Sequence, residues 1–289
     1  MTDGPAGGRQ AMAERQRRTG GAVVVAGLMV SVCVGTAGCS GGDAAAGDAR
    51  SADPVETLHR AADTLVAAGS SQARTSMEMA TGGTRVTIRG EGVYDYRRQL
   101  GRLKVLLPQD PAGTREHRPI TELLAPGALF MKNRGAGVPA DKWVRVDTAT
   151  LLDGNLVTGG ATDPLAAAEV LRGTRTATYV GETRLAGTAV RHYRGTADLA
   201  KAAAGASEGN RGPLASAAKG FASAEVPFDV YLDEQGRIRK VRHRFSFLGG
   251  ARNGNVAVAS TTLLYDFGAP AEVRLPAAGD IYTGRIAQE

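Results

Sequence analysis

The sequence predicts an α+β fold in which a large, curled antiparallel β-sheet is accompanied by few helices. Three observations predict it. Beyond residue 70 the hydrophobic period is two over most of the chain, as in "ARTSMEMA" and "TRVTIR", the signature of strands with one buried face. The strand-like runs are joined by short Gly, Pro and Asp turns rather than by helical crossovers, which makes neighbouring strands antiparallel. Complete helix signals, with both a start and a stop, occur only twice.

The first 38 residues predict a signal peptide that contributes nothing to the fold. Arg9, Arg15, Arg17 and Arg18 precede an apolar run of 13 residues, Ala22 to Val34, and then Gly35, Thr36, Ala37 and Gly38. That is the build of a secretory signal. A membrane-spanning helix needs about 20 residues, so the run is too short for a permanent span. It ends in Thr-Ala-Gly-Cys, which resembles the bacterial lipobox, with Thr36 where that pattern prefers Leu or Val. The resemblance implies cleavage before Cys39 and a diacylglyceryl thioether on it, with acyl chains such as palmitate as the membrane anchor. Two acyl chains hold a protein on a bilayer where one does not. Cys33 leaves with the signal, so the mature chain has neither a free thiol nor a disulfide.

Removing those 38 residues from the 289 leaves 251, within the range of a single unit. Such a chain buries roughly 70% of its unfolded surface and needs no disulfide. The net charge of +6 falls to +4 with the loss of four arginines, Asp3 and Glu14. Charges of both signs are mixed along the chain, which does not fit a nucleic-acid partner. Residues 39–52, "CSGGDAAAGDARSA", carry no large apolar side chain and read as a flexible tether. Residues 53–289 are then the folded domain.

"DPVETLHRAADTLVAAG" is a helix: Asp53 caps, Pro54 suits the first turn, Glu56 completes a capping box and Gly69 stops it. Val55, Leu58, Ala62, Leu65 and Val66 form its buried stripe. Strands follow through Met77 and Met79, through Val86 and Ile88, and through Leu103 and Val105, the first two turning at "TGG". "ITELLAPGALFMKN" adds two more around Pro126 and Gly127, and "KWVRVD" places Trp143 near a strand start. "DPLAAAEVLRG" is the second helix, capped by Asp163 and stopped by Gly173. "TATYVGETRLAG" and "TAVRHYRGTADL" form a hairpin at Ala186 and Gly187. The Ala-rich segment 199–224 reads as helix in pieces, broken near "SEGNRGP". "VPFDVYLDEQGRIRKVRHRFSF" is a hairpin, and a four-residue turn at Asp233 to Gly236 sets Asp229 against Lys240 and Phe228 against Val241. "NVAVASTTLLYDFG" is the last strand.

Catalytic signals are sparse. His59, His117, His192 and His243 stand far apart, none in a metal-ligand spacing, and neither a Walker loop nor a dinucleotide glycine pattern occurs. No catalytic residue, metal or cofactor is assigned, and an enzyme is not expected. In "RIRKVRHR" the cations Lys240, Arg242 and Arg244 share one face of a strand, read either as a solvated face paired with Asp229 or as a contact with anionic lipid headgroups. Met77, Met79, Val86, Ile88, Leu103, Val105, Phe130, Trp143, Phe228, Val230, Phe245 and Phe247 are candidate cavity-lining positions, or else ordinary core. The chain is only 5% aromatic, so bulky filler is scarce and a hollow is plausible on composition.

The lipobox, the short capped helix, "GEGVYDY", "LFMKN…KWVRVD", "YVGETRLAGTAVRHYRG", "VPFDVYLDEQGRIRKVRHRF" and "LLYDFGAPAEVRLP" together resemble the LppX/LprG group of bacterial lipoproteins, whose fold is LolA-like. The resemblance spans about Asp53 to Asp280, with the Ala-rich insertion outside the pattern. It implies a half-open barrel wrapped over helices and an apolar cavity for acyl chains of a membrane lipid or lipoglycan. The expected function is envelope lipid transport on the outer leaflet of the cell membrane. The alternative is a LolA-like sensor module contacting a membrane transporter or regulator.

Overall fold

Residues 53–81, 84–108, 118–135, 137–247 and 256–284 are described by the computed structural model. The signal, Cys39, the tether, Gly82, Gly83 and His117 fall outside them. Asp53 accepts a hydrogen bond from the Val55 amide at 2.9 Å and starts α1 (Pro54–His59). Helix α2 (Ala61–Ala68) continues it past a break at Arg60 and stops at Gly69, whose φ of 86° a side chain would oppose. Glu56 pairs with Arg60 instead of closing a capping box.

Eleven antiparallel strands follow: β1 (Ser70–Thr81), β2 (Thr84–Asp95), β3 (Leu100–Leu106), β4 (Ile120–Ala125), β5 (Ala128–Lys132), β6 (Val144–Asp147), β7 (Thr174–Leu185), β8 (Thr188–Asp198), β9 (Glu225–Leu232), β10 (Ile238–Phe247) and β11 (Val256–Tyr265). Their order is β6-β5-β4-β3-β2-β1-β11-β10-β9-β8-β7. Two meanders are thus joined where β1 pairs with β11, and β6 and β7 remain as free edges of a large curved sheet that does not close. The edges are unequal, four residues against twelve.

The chain between those edges carries α3 (Pro164–Val170), capped by Asp163, whose carboxylate accepts from the amides of Leu165 and Ala166. Every residue of α3 is buried. Helices α4 (Leu199–Gly205) and α5 (Glu208–Gly220) form the Ala-rich segment. The break falls at Ala206 and Ser207, and "EGNRGP" is helical, with Pro213 inside α5. The buried Glu169 of α3 explains the position: it accepts from the Ser207 amide, the Ser207 hydroxyl and Asn210, fixing the start of α5.

The β9–β10 hairpin is two residues out of the predicted register. Asp229 faces Arg242, and Phe228 faces His243. The turn is longer because Asp233 holds it, accepting from the amides of Gln235 and Arg237 and from Arg237 Nε, and a bulge follows between Ile238 and Lys240. A shift of two preserves the faces, so charge still meets charge.

One side of the sheet packs on the helices, with Leu58, Leu65, Leu165, Leu199 and Leu214 against the strands. The opposite side of β3–β6 is covered by the C-terminal segment. Trp143 donates to the Asp280 carbonyl and accepts from the Tyr282 amide, and Val273 is buried against Leu100, Leu123 and Phe130. Strands β4 and β5 are therefore buried on both faces, which is why "TELLA" and "ALFMK" do not alternate.

Candidate functional site

The helix-facing side of the sheet brings together ten of the twelve predicted lining positions: Met77, Met79, Val86, Ile88, Leu103, Val105, Phe228, Val230, Phe245 and Phe247 belong to one apolar cluster. The other two do not join it. Phe130 and Trp143 sit on the opposite face, under the C-terminal segment, because β5 is apolar on both sides and residue parity assigns Phe130 outward.

This side is filled by the protein's own chain. Residues 153–162 fold against it as a plug, with Leu156, Ala161 and Thr162 fully buried. The plug is held together from within. Asp153 accepts from the amides of Asn155, Val157 and Thr158 and from the Thr158 hydroxyl, while Asn155 caps the Gly159 amide. Gly154 and Gly160 take positive φ of 56° and 91°. A Cβ on Gly154 would lie 2.0 Å from the Pro213 carbonyl oxygen, so α5 requires glycine there. Among the described residues, the Thr162–Ser260 hydroxyl pair is the one hydrogen bond from the plug to the sheet.

Beneath the plug the sheet presents polar groups without partners among the described residues: the hydroxyls of Thr75 and Thr262, both carboxyl oxygens of Glu122 and Nε2 of His243. Burial pushes the Glu122 pKa up to about 8, against a partial pull downward from Arg134. Burial likewise pushes His243 down to about 3, so its ring is neutral at pH 7. At the top of α3, burial raises Asp163 to about 6 despite hydrogen bonds from two amides and the Tyr94 hydroxyl.

At one end the apolar side emerges. Met79, Val86, Phe247 and Val256 are only half-buried there, set side by side by the pairing of β10, β11, β1 and β2. Leu107 and Val138 continue this rim and line a depression of about 280 Å³.

Of the three cations on the outer face of β10, Lys240, Arg242 and Arg244, two are neutralised. Arg244 and Arg194 bind Asp229 at 2.8 and 2.9 Å, joined by His192 at 2.8 Å. Burial works to raise the Asp229 carboxyl, but these three hydrogen bonds outweigh it and hold the pKa below the usual carboxylate value. Arg242 reaches Glu78 at 3.5 Å. Lys240 lies over the Tyr231 ring, itself stacked on His192.

Two serine patterns that superficially suit hydrolases, "GASEG" around Ser207 and "SAAK" at Ser216 to Lys219, both fall in the Ala-rich segment. Their hydroxyls are committed elsewhere, Ser207 to Glu169 and Ser216 to the Ala149 carbonyl at 2.6 Å. Among the described residues no three His, Cys, Asp or Glu side chains gather as a metal site, and no helix is long and apolar enough to cross a membrane.

No protein-family model and no curated protein sequence matches the chain. Solved structures similar to it include the lipoprotein LppX of Mycobacterium tuberculosis, at 10% identity and a TM-score of 0.42 over 77% of this chain and 100% of that one. LprF from Mycobacterium bovis is similar at 13% identity and 0.38, over 78% and 97%. A LolA superfamily protein from Nitrosomonas europaea is similar at 11% identity and 0.33, over 75% and 95%. The sheet order, rather than these distant likenesses, defines the class: an open antiparallel half-barrel filled by its own helices and plug.

Proposed function

We propose that this chain is a non-enzymatic lipoprotein that shelters the acyl chains of a membrane lipid or lipoglycan against the helix-facing side of its sheet, tethered through a diacylglyceryl group on Cys39 outside the cell membrane. The observation that carries the reading is the pairing of a largely apolar sheet face with a plug that bonds chiefly to itself. Residues 153–162 satisfy their own polar groups and touch the sheet through apolar contact and one hydroxyl pair. Withdrawing them exposes apolar surface and four orphaned polar side chains together, an arrangement that suits an amphiphile with chains and a hydroxylated or acidic head.

The energetics suit exchange. Each buried methylene contributes ~0.8 kcal/mol relative to water, but a lipid arrives from a bilayer that is equally apolar, so transfer is close to neutral. Plug displacement then decides whether the site loads. Each unpartnered buried polar group costs about 1–3 kcal/mol, and that cost is borne by the plugged state. The half-buried rim at Met79 and Phe247 is where a chain enters.

The test is native mass spectrometry of the full chain carrying Cys39→Ser, expressed in a bacterium with a complex envelope, followed by solvent extraction. A discrete acyl-bearing adduct supports the reading and begins to identify the lipid. A bare mass that stays bare after incubation with liposomes contradicts it.

A further inference from the structure

The uncovered part of the outer sheet face, away from the helices and from the C-terminal segment, carries an organised surface of its own. Strand register sets Lys240, Leu263, Arg74, Glu91 and Lys104 side by side in one row across β10, β11, β1, β2 and β3. The next row reads Arg242, Thr261, Ser76, Arg89 and Leu106. Between the rows lies an open groove of about 360 Å³, its apolar walls Leu106 and Leu263 exposed to 45% and 38%. Arg74, Arg89 and Lys104 stand around it, all exposed.

We propose that this groove face is a docking surface for an anionic phospholipid bilayer, with Arg74, Arg89 and Lys104 meeting headgroup phosphates and Leu106 and Leu263 entering the acyl boundary. The charge pattern selects these three cations. Arg242 and Arg244, the obvious candidates in sequence, are neutralised by Glu78 and Asp229. Arg89 and Lys104 have no ion pair among the described residues, and Arg74 has only a loose one to Glu91, 3.8 Å long and exposed on both sides. Exposed leucines flanked by unneutralised cations give the two contributions by which peripheral proteins hold an anionic interface, apolar burial and attraction to the surface charge. A guanidinium also binds a headgroup phosphate in a bidentate fork. The orientation that follows sets the outer face on the membrane and leaves the helices facing away.

The proposal does not depend on what the helix-facing side holds. Its test compares partitioning of the full chain, carrying Cys39→Ser, onto vesicles of phosphatidylglycerol and of phosphatidylcholine. The parent binds the anionic vesicles more tightly. Arg74→Gln, Arg89→Gln and Lys104→Gln together lower that partitioning about 100-fold, whereas the equal charge loss of Lys142→Gln, Lys201→Gln and Lys219→Gln, on loop and helices, changes it less than about 3-fold. The single reversal Arg89→Glu, at an exposed site that tolerates it, gives a drop of about 30-fold. Equal losses in the two triple variants, no loss in either, no loss on Arg89→Glu, or a parent indifferent to lipid charge each overturn the proposal. Lipid extracted from the same variants by solvent is unaffected, which separates this surface from the proposed acyl site.

Discussion

Glu122 holds both carboxyl oxygens in the interior without a partner among the described residues, and it gives the protein an unusual pH dependence. Its folded pKa is about 8 against 4.5 for the ordinary group. Between those values the folded chain keeps a proton that the unfolded chain has lost, so stability falls as pH rises through the window. His243 works the other way between 6.5 and about 3, where the unfolded chain binds the extra proton, and Asp163 acts only below about 6. The interval from pH 6.5 to 8 therefore belongs to Glu122. Stability is expected to drop by about 2 kcal/mol across it, and Glu122→Gln to flatten the curve; urea titrations at both pH values check this. Asp229 is the opposite case, a buried carboxylate with three donors. Asp229→Asn is expected to cost about 1–3 kcal/mol with an unchanged denaturant slope. Neither residue announced its state in the sequence. The burial of Glu122 is not readable locally because the cover over it comes from residues 153–162, far along the chain. The His192 and Arg194 contacts to Asp229 depend on β8 lying beside β9, which hairpin reasoning alone does not supply.

At the scale of the element, helix starts and hairpin turns were legible because they are local chemistry. Asp53-Pro54 and Asp163-Pro164 cap as read, and Pro126-Gly127 and Ala186-Gly187 turn as read. The β9–β10 register was not legible, because it depends on side-chain bonds from Asp233 that lengthen the turn. The plug was not legible either. "LLDGNLVTGGAT" has the glycines and polar residues of a surface loop, yet its polar groups are satisfied internally, which permits burial. The plug's apolar contribution is concentrated in Leu156. Leu156→Ala is expected to cost about 2–5 kcal/mol, measured by urea unfolding, well above what the same change costs at Leu152, which is 77% exposed. A loss at Leu156 no greater than at Leu152 would show that the segment does not pack as a plug.

The folded domain is an incomplete barrel among the described residues. Two meanders meet at β1 and β11, and the chain that could have closed the gap between β6 and β7 instead runs inside as plug and α3. The antiparallel class and most strand boundaries followed from period-two patterning. The division into a packed helix side, an outer side half covered by the C-terminal segment, and an uncovered basic face did not, since it arises from pairings up to some 190 residues apart, as between Gln72 and Tyr265. The central claim is that acyl chains enter by displacing the plug, and Thr162 and Ser260, whose hydroxyls touch, allow it to be tested. In a chain with Cys33→Ser and Cys39→Ser, Thr162→Cys with Ser260→Cys joins plug to sheet under oxidising conditions. Uptake of phospholipid from liposomes, read by extraction, is expected to fall at least tenfold when the pair is oxidised and to return on reduction. Equal uptake by the oxidised and reduced forms, with the cross-link verified by mass, would contradict the account.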